Sequence, residues 1–192
     1  MDTFEAISQR RSIRKYKSEK VSREQIERIL EAAVLAPSGK NRQPWRFIVI
    51  EGKKKDDLIS LLFCSEKERK SKGVNTGSFS QTITAMNQAP VVIMVLNSYF
   101  DTCIDADGQL NHNRWLTDVQ GIAAAIQNML LTAQDQGLGT LWVCDIYYAE
   151  EEIRTWLNTE NQLIAAICLG YANEKPFPRP RVSWKEVTDW LD

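Results

Sequence analysis

The sequence predicts one mixed α and β domain over residues 1–192. Three observations carry this. Short runs rich in β-branched and aromatic residues recur along the chain, stretches of helical period separate them, and no internal repeat, low-complexity tract or linker divides them. A chain of 192 residues, 43% of them hydrophobic, suits a single core.

The elements follow in order. Ser22 and Gln25 form a capping box, and Ile26, Ile29, Leu30 and Ala33 then repeat at helical spacing until Pro37 approaches. Trp45 to Ile50 (WRFIVI) reads as a strand buried on both faces. Asp56 to Cys64 predicts a helix, whereas residues 65–78 (SEKERKSKGVNTGS) are polar and glycine-rich enough to predict a mobile surface segment. Val91 to Leu96, just after Pro90, predicts a second strand, and the polar stretch 97–113 a lid or crossing segment.

Leu116, Val119, Ile122, Ala123, Ile126, Met129, Leu130 and Ala133 cover more than one helical face, which predicts a long, central, buried helix ending at Gly137. Thr140 to Cys144 and Leu163 to Leu169 supply two more strands around a helix near Glu151 to Leu157. Pro176, Pro178 and Pro180 keep the following segment extended, and Ser183 and Glu186 cap a short helix bearing Val187, Trp190 and Leu191.

Lys and Arg number 24 against 25 Asp and Glu, so a formal charge of −1 provides no global field for nucleic acid or an anionic membrane. The N-terminal MDTFEAISQR carries acids and no long apolar run, which points to a cytoplasmic protein without a membrane span. Cys64, Cys103, Cys144 and Cys168 lack zinc-ligand spacing and read as buried, reduced thiols. No metal site is expected.

Two constellations carry chemistry. Arg10, Arg11, Ser12 and Arg14 place three guanidinium groups and a hydroxyl within five residues, and Arg179 and Arg181 sit in the stiff proline-rich segment near the other end. A solvated charged face explains most such clusters, but two stiff basic segments could converge on one phosphate, whose oxygens match bidentate guanidinium donors. The loop within Ala32 to Trp45 (AAVLAPSGKNRQPW) offers Ser38, Asn41 and Gln43, which both donate and accept hydrogen bonds and suit a heteroatom-rich ring or a polyol chain. Ordinary turn chemistry accounts for its composition equally well.

The R-R-S-x-R-x-Y start, A-P-S-x-x-N-x-Q-P-W, A-P-V-V-I, G-L-G-T-L-W and the late R-P-R, in this order, resemble the FMN-dependent nitroreductase family from Arg10 to Trp190. The resemblance implies a three-layer α/β (α+β) fold with a mixed central sheet, forming an intertwined homodimer with FMN at two interface sites. Arg10, Arg11, Ser12 and Arg14 then match residues that hold the FMN phosphate, ribityl chain and pyrimidine, with Arg181 and Arg179 at the phosphate. Pro37, Ser38, Gly39, Asn41 and Gln43 match a loop contributed by the partner subunit.

Gly137-Leu138-Gly139-Thr140 is not a dinucleotide fingerprint, because it follows a helix and precedes a strand; Gly137 reads as a helix cap. In the family this strand leads to a backbone amide that meets flavin N5, and many members carry small glycines there. This chain has Cys144 and Asp145 instead. Both are assigned to the cofactor site through their backbone, with Cys144 read as a packing residue. His112 receives no role, and Asp118 is read as stabilising a helix N-terminus.

The implied activity is ping-pong transfer of hydride from NADH or NADPH, through flavin N5, to a nitroaromatic, quinone, enone or flavin. Arg10 or Arg14 would stabilise the negative charge that reduction builds near the flavin N1 and O2. The rival readings are a flavin-binding store or sensor without turnover and a same-fold enzyme of dehalogenation or flavin cleavage.

Overall fold

The structure is a computed structural model and describes residues 1–191. Its elements are α1 (Thr3–Gln9), α2 (Arg23–Val34), β1 (Trp45–Glu51), α3 (Gly52–Ser71), α4 (Phe79–Gln88), β2 (Val91–Asn97), α5 (His112–Asp135), β3 (Gly139–Val143), α6 (Glu150–Leu157) and β4 (Gln162–Gly170), with four short 3-10 turns. The strands form one sheet in the order β1-β2-β4-β3.

Strand alternation divides the core into two halves, because successive side chains point to opposite faces of a sheet. Val92, Met94 and Leu96 pack with Leu58 and Leu62 of α3 and Phe79, Ile83 and Met86 of α4. Val91, Ile93 and Val95 pack with Ile26 and Ile29 of α2 and Ile122, Ile126 and Met129 of α5. The sheet thus lies between two helical layers, which is the expected three-layer arrangement. Each such fully buried side chain contributes about 1.5–3 kcal/mol.

Several boundaries differ from expectation. The sheet is not mixed: its three ladders are all antiparallel. The parallel pairing in the described residues is an isolated bridge between Ser12 and Thr140. β1 is an edge strand and only Ile50 in it is buried, so the WRFIVI run is covered less than its composition suggests; β2 is buried throughout.

The first half of the segment expected to be mobile at 65–78 is helix, the end of α3. Ser65 and Glu66 continue the buried stripe of Leu58, Ile59 and Leu62. Both find polar partners: Ser65 Oγ donates to Glu152 at 2.9 Å, and Glu66 pairs with Lys70 at 2.8 Å. Gly73, at φ +74°, turns the chain away. α4 follows, with Phe79, Ile83 and Met86 on its buried face.

The Ser22 capping box is present, and Gly137 takes the left-handed conformation that ends α5. Ser183 and Glu186 also form a capping box, around a single 3-10 turn at Trp184–Glu186. Val187, Trp190 and Leu191 beyond it are exposed. No helix of the described residues is long and apolar enough to cross a membrane.

Candidate active site

The basic turn is fixed by two apolar anchors. Ile13 donates its N–H to Thr140 O at 2.9 Å, and the buried Tyr16 donates its hydroxyl to Ile13 O at 2.7 Å. Lys17 N–H bonds Tyr171 O at 2.9 Å, so the turn runs along the edge of β3 and the end of β4. With Ile13 and Tyr16 committed inward, Arg14 is left exposed and Arg10 and Arg11 half-buried.

The C-terminal arm meets this turn. Glu174 accepts the backbone N–H groups of Arg14 and Lys15, and Asn173 N–H donates to Lys15 O at 2.9 Å. Beyond it, Pro176, Pro178 and Pro180 remove backbone donors and leave the arm without regular structure. Arm and turn enclose a cleft of about 610 Å³, lined by Arg10, Arg11, Ser12, Arg14, Arg179 and Arg181 with Phe4, Ile7, Ser8, Pro176, Phe177 and Pro178.

No carboxylate lines this cleft, and none of its five arginines takes part in an ion pair among the described residues. Their side-chain hydrogen bonds go to backbone carbonyls: Arg11 to Ser8 and Arg10, Arg14 to Ser12, Arg181 to Pro180. Burial, then the charges of Arg181 and Arg11, lower the pKa of Arg10. Uncompensated positive charge gathered in this way favours an anionic ligand with several acceptor oxygens, and a phosphate monoester is one.

The polar loop lies elsewhere in the same chain. Ser38 and Gly39 press on α5: a Cβ on Gly39 would stand 2.2 Å from Thr117 Cγ2, and one on Gly121 would stand 3.0 Å from Ser38 Cβ. Ser38 Oγ accepts from Gln43 N–H at 2.9 Å, and Asn41 N–H bonds Ser38 O at 2.9 Å. Pro37, Ser38, Gly39, Asn41 and Gln43 do not line the arginine cleft of their own chain.

One residue of this loop escaped the sequence reading. Arg42 forks onto the buried Asp118 carboxylate, through Nε to Oδ1 at 2.9 Å and Nη2 to Oδ2 at 3.0 Å. Asp118 lies two turns inside α5, so its role is this ion pair and not the helix N-terminus. The signal available in the sequence was a lone acid on an otherwise apolar helical face, since a buried carboxylate needs a partner.

At the end of β3, Cys144 is exposed and is therefore not a packing residue; Cys64 is exposed too, and only Cys103 and Cys168 are buried. Asp145 turns its carboxylate to Ser78 and Thr82, the latter at 3.0 Å, tying this turn to the start of α4. His112 is exposed and lies 5.6 Å from the Trp115 ring, a surface contact. The described residues contain no cluster able to hold a metal ion.

The model of the Nitroreductase family matches residues 7–171. The chain belongs to the nitroreductase family. A candidate NADH dehydrogenase/NAD(P)H nitroreductase of Methanothermobacter thermautotrophicus is 34% identical, covering 93% of this chain and 82% of its own. One of Archaeoglobus fulgidus is 32% identical, over 92% and 89%. Among solved structures, a candidate nitroreductase from Desulfovibrio desulfuricans in complex with FMN superposes with a TM-score of 0.74 at 29% identity, covering 100% of this chain and 98% of that one.

Proposed function

We propose that this nitroreductase-family chain binds FMN with its phosphate in the arginine cleft, accepts hydride from NADH or NADPH, and delivers the electrons to an electrophilic acceptor such as a nitroaromatic, quinone, enone or flavin. The chain is an NAD(P)H-dependent oxidoreductase of that family. The observation that carries the cofactor reading is the set of five arginines without a carboxylate partner around a cleft of about 610 Å³.

Arg14, Arg179 and Arg181 would hold the phosphate, and Arg10, Arg11 and Ser12 the groups beyond it. Ser38, Asn41 and Gln43 would complete the site from the partner subunit of a homodimer, since in their own chain they stand apart from the arginines. When bound, FMN supplies the hydride-accepting centre, and the protein supplies placement and charge. The backbone at Cys144 and Asp145 would face that centre, with the Asp145 side chain already committed to α4. A guanidinium near the pyrimidine, Arg10 in this arrangement, would stabilise the charge that reduction places there.

The reading is tested by the visible spectrum of the purified or FMN-reconstituted protein and by anaerobic mixing with NADH and NADPH. Bleaching by at least one of them, followed by recovery of colour with a quinone or nitroaromatic, supports an oxidoreductase. A yellow protein that neither nucleotide bleaches is a flavin store, and a protein that takes up no FMN overturns the proposal.

A further inference from the structure

We propose that Arg42 and Asp118 are positioning residues, a clamp that holds the 38–43 loop in the shape its ligand-facing groups need. The inference rests on the FMN reading for what the loop touches, but not for how the loop is held.

The loop is strained. Lys40, Asn41 and Gln43 have φ of +52°, +54° and +51°, three non-glycine residues in the left-handed region within four positions. Such backbone persists only where its surroundings over-determine it. Its internal bonds are few: Asn41 N–H to Ser38 O at 2.9 Å, Arg42 N–H to Gly39 O at 3.1 Å, Gln43 N–H to Ser38 Oγ at 2.9 Å, and a long one from Gln43 Nε2 to Asn41 O at 3.5 Å.

Arg42 is the residue between the strained Asn41 and Gln43, and its side chain leaves the loop to bond Asp118 and Thr102. Its guanidinium makes both bonds of a fork to Asp118, donates to Thr102 Oγ1 at 2.9 Å and lies 5.1 Å from the centre of the Tyr99 ring. The Asp118 side chain is 1% exposed and also accepts from Cys103 Sγ at 3.5 Å. Thr117 and Gly121 on either side of Asp118 form the surface on which Gly39 and Ser38 rest. The loop is thus seated by small residues at one end and clamped by a bidentate ion pair at the other, leaving the Ser38, Asn41 and Gln43 side chains free of the clamp.

Planar two-point geometry makes the clamp sensitive to conservative change, because lysine keeps the charge but not the fork. The test uses the full chain carrying Arg42→Lys or Asp118→Asn, with hydrogen exchange followed in peptides covering 37–44 and 122–133, and with FMN and riboflavin titrated separately. The expected result is exchange about tenfold faster at 41–43 in flavin-free protein, unchanged exchange within 122–133, and FMN and riboflavin weakened by the same factor of about ten. Arg42, at the 30% exposed end of the pair, keeps the test interpretable if Asp118→Asn does not fold.

Unchanged exchange at 41–43 overturns the clamp, whether or not the protein binds flavin. Faster exchange with flavin affinities intact overturns the positioning role. Weakened FMN with unaffected riboflavin also overturns it, because it places the loop at the phosphate. A wild-type chain that binds neither flavin defeats the FMN reading instead, and the exchange comparison alone then decides the clamp.

Discussion

A Cβ built on Gly139 would stand 2.7 Å from Ile13 Cγ1 and 3.1 Å from Ile13 Cβ. The first residue of β3 is therefore pressed directly onto the middle of the basic turn, whose backbone is bonded to the next strand residue, Thr140. The spacing between Ile13 and β3 sets where Arg11, Ser12 and Arg14 stand.

Gly139→Ala should displace that turn, lowering stability by about 1–3 kcal/mol as overpacking does. Thermal unfolding and FMN titration read both effects. Combining it with Ile13→Ala should cost less than the sum of the two single changes, since residues in contact couple. Strict additivity would mean that the contact does not transmit to the turn.

The cysteines divide in two. Cys64 and Cys144 should react with a maleimide in the native protein, and Cys103 and Cys168 only after unfolding. Burial pushes the Cys168 thiol up to about 12, which reinforces its inertness. Partial desolvation of the sulfur, then the charge of Asp145, also raises the Cys144 pKa. Its thiolate fraction is therefore small near neutral pH, and its alkylation rate should still be rising where that of a free cysteine peptide has levelled. Bound FMN should protect Cys144 and leave Cys64 reactive; equal protection of both, measured by mass spectrometry of labelled peptides, would remove Cys144 from the site.

A shared site predicts complementation between damaged subunits. One defective protein carries Arg14→Ala with Arg181→Ala, the other Ser38→Ala with Asn41→Ala. Each homodimer has two damaged sites, whereas an isolated heterodimer joins both defects in one site and leaves the other intact, by the two-fold symmetry of such a dimer. FMN binding and NAD(P)H oxidation should return to about half of wild type. An intact heterodimer without rescue would show that each site is built from a single chain.

The sequence was most legible where apolar period and turn chemistry agree. β2 and β4, the α5 stripe, the Ser22 capping box and the Gly137 cap all lie close to where residue pattern places them. It was least legible where polar side chains satisfy one another across long separations. Ser65 and Arg69 look like solvated residues in the chain, yet Glu152, more than eighty positions later, supplies the partner that lets α3 continue. Asp118 and Arg42, 76 positions apart, escaped for the same reason. Edge position also has no local signature, which is why β1 and Cys144 were expected to be more buried than they are. At the candidate site, residue type gave the arginines of both segments, and folding added their convergence and the absence of any carboxylate between them.

If the arginine cleft holds the phosphate of a flavin, isothermal titration of FMN and riboflavin into flavin-free wild type, Arg14→Ala and Arg181→Ala separates the two ligands. Each substitution should weaken FMN by about 1.5–3 kcal/mol, the range for a hydrogen bond to a charged group, and leave riboflavin nearly unchanged, with the double variant less than additive. Equal losses for the two ligands, or no loss for either, would contradict the assignment.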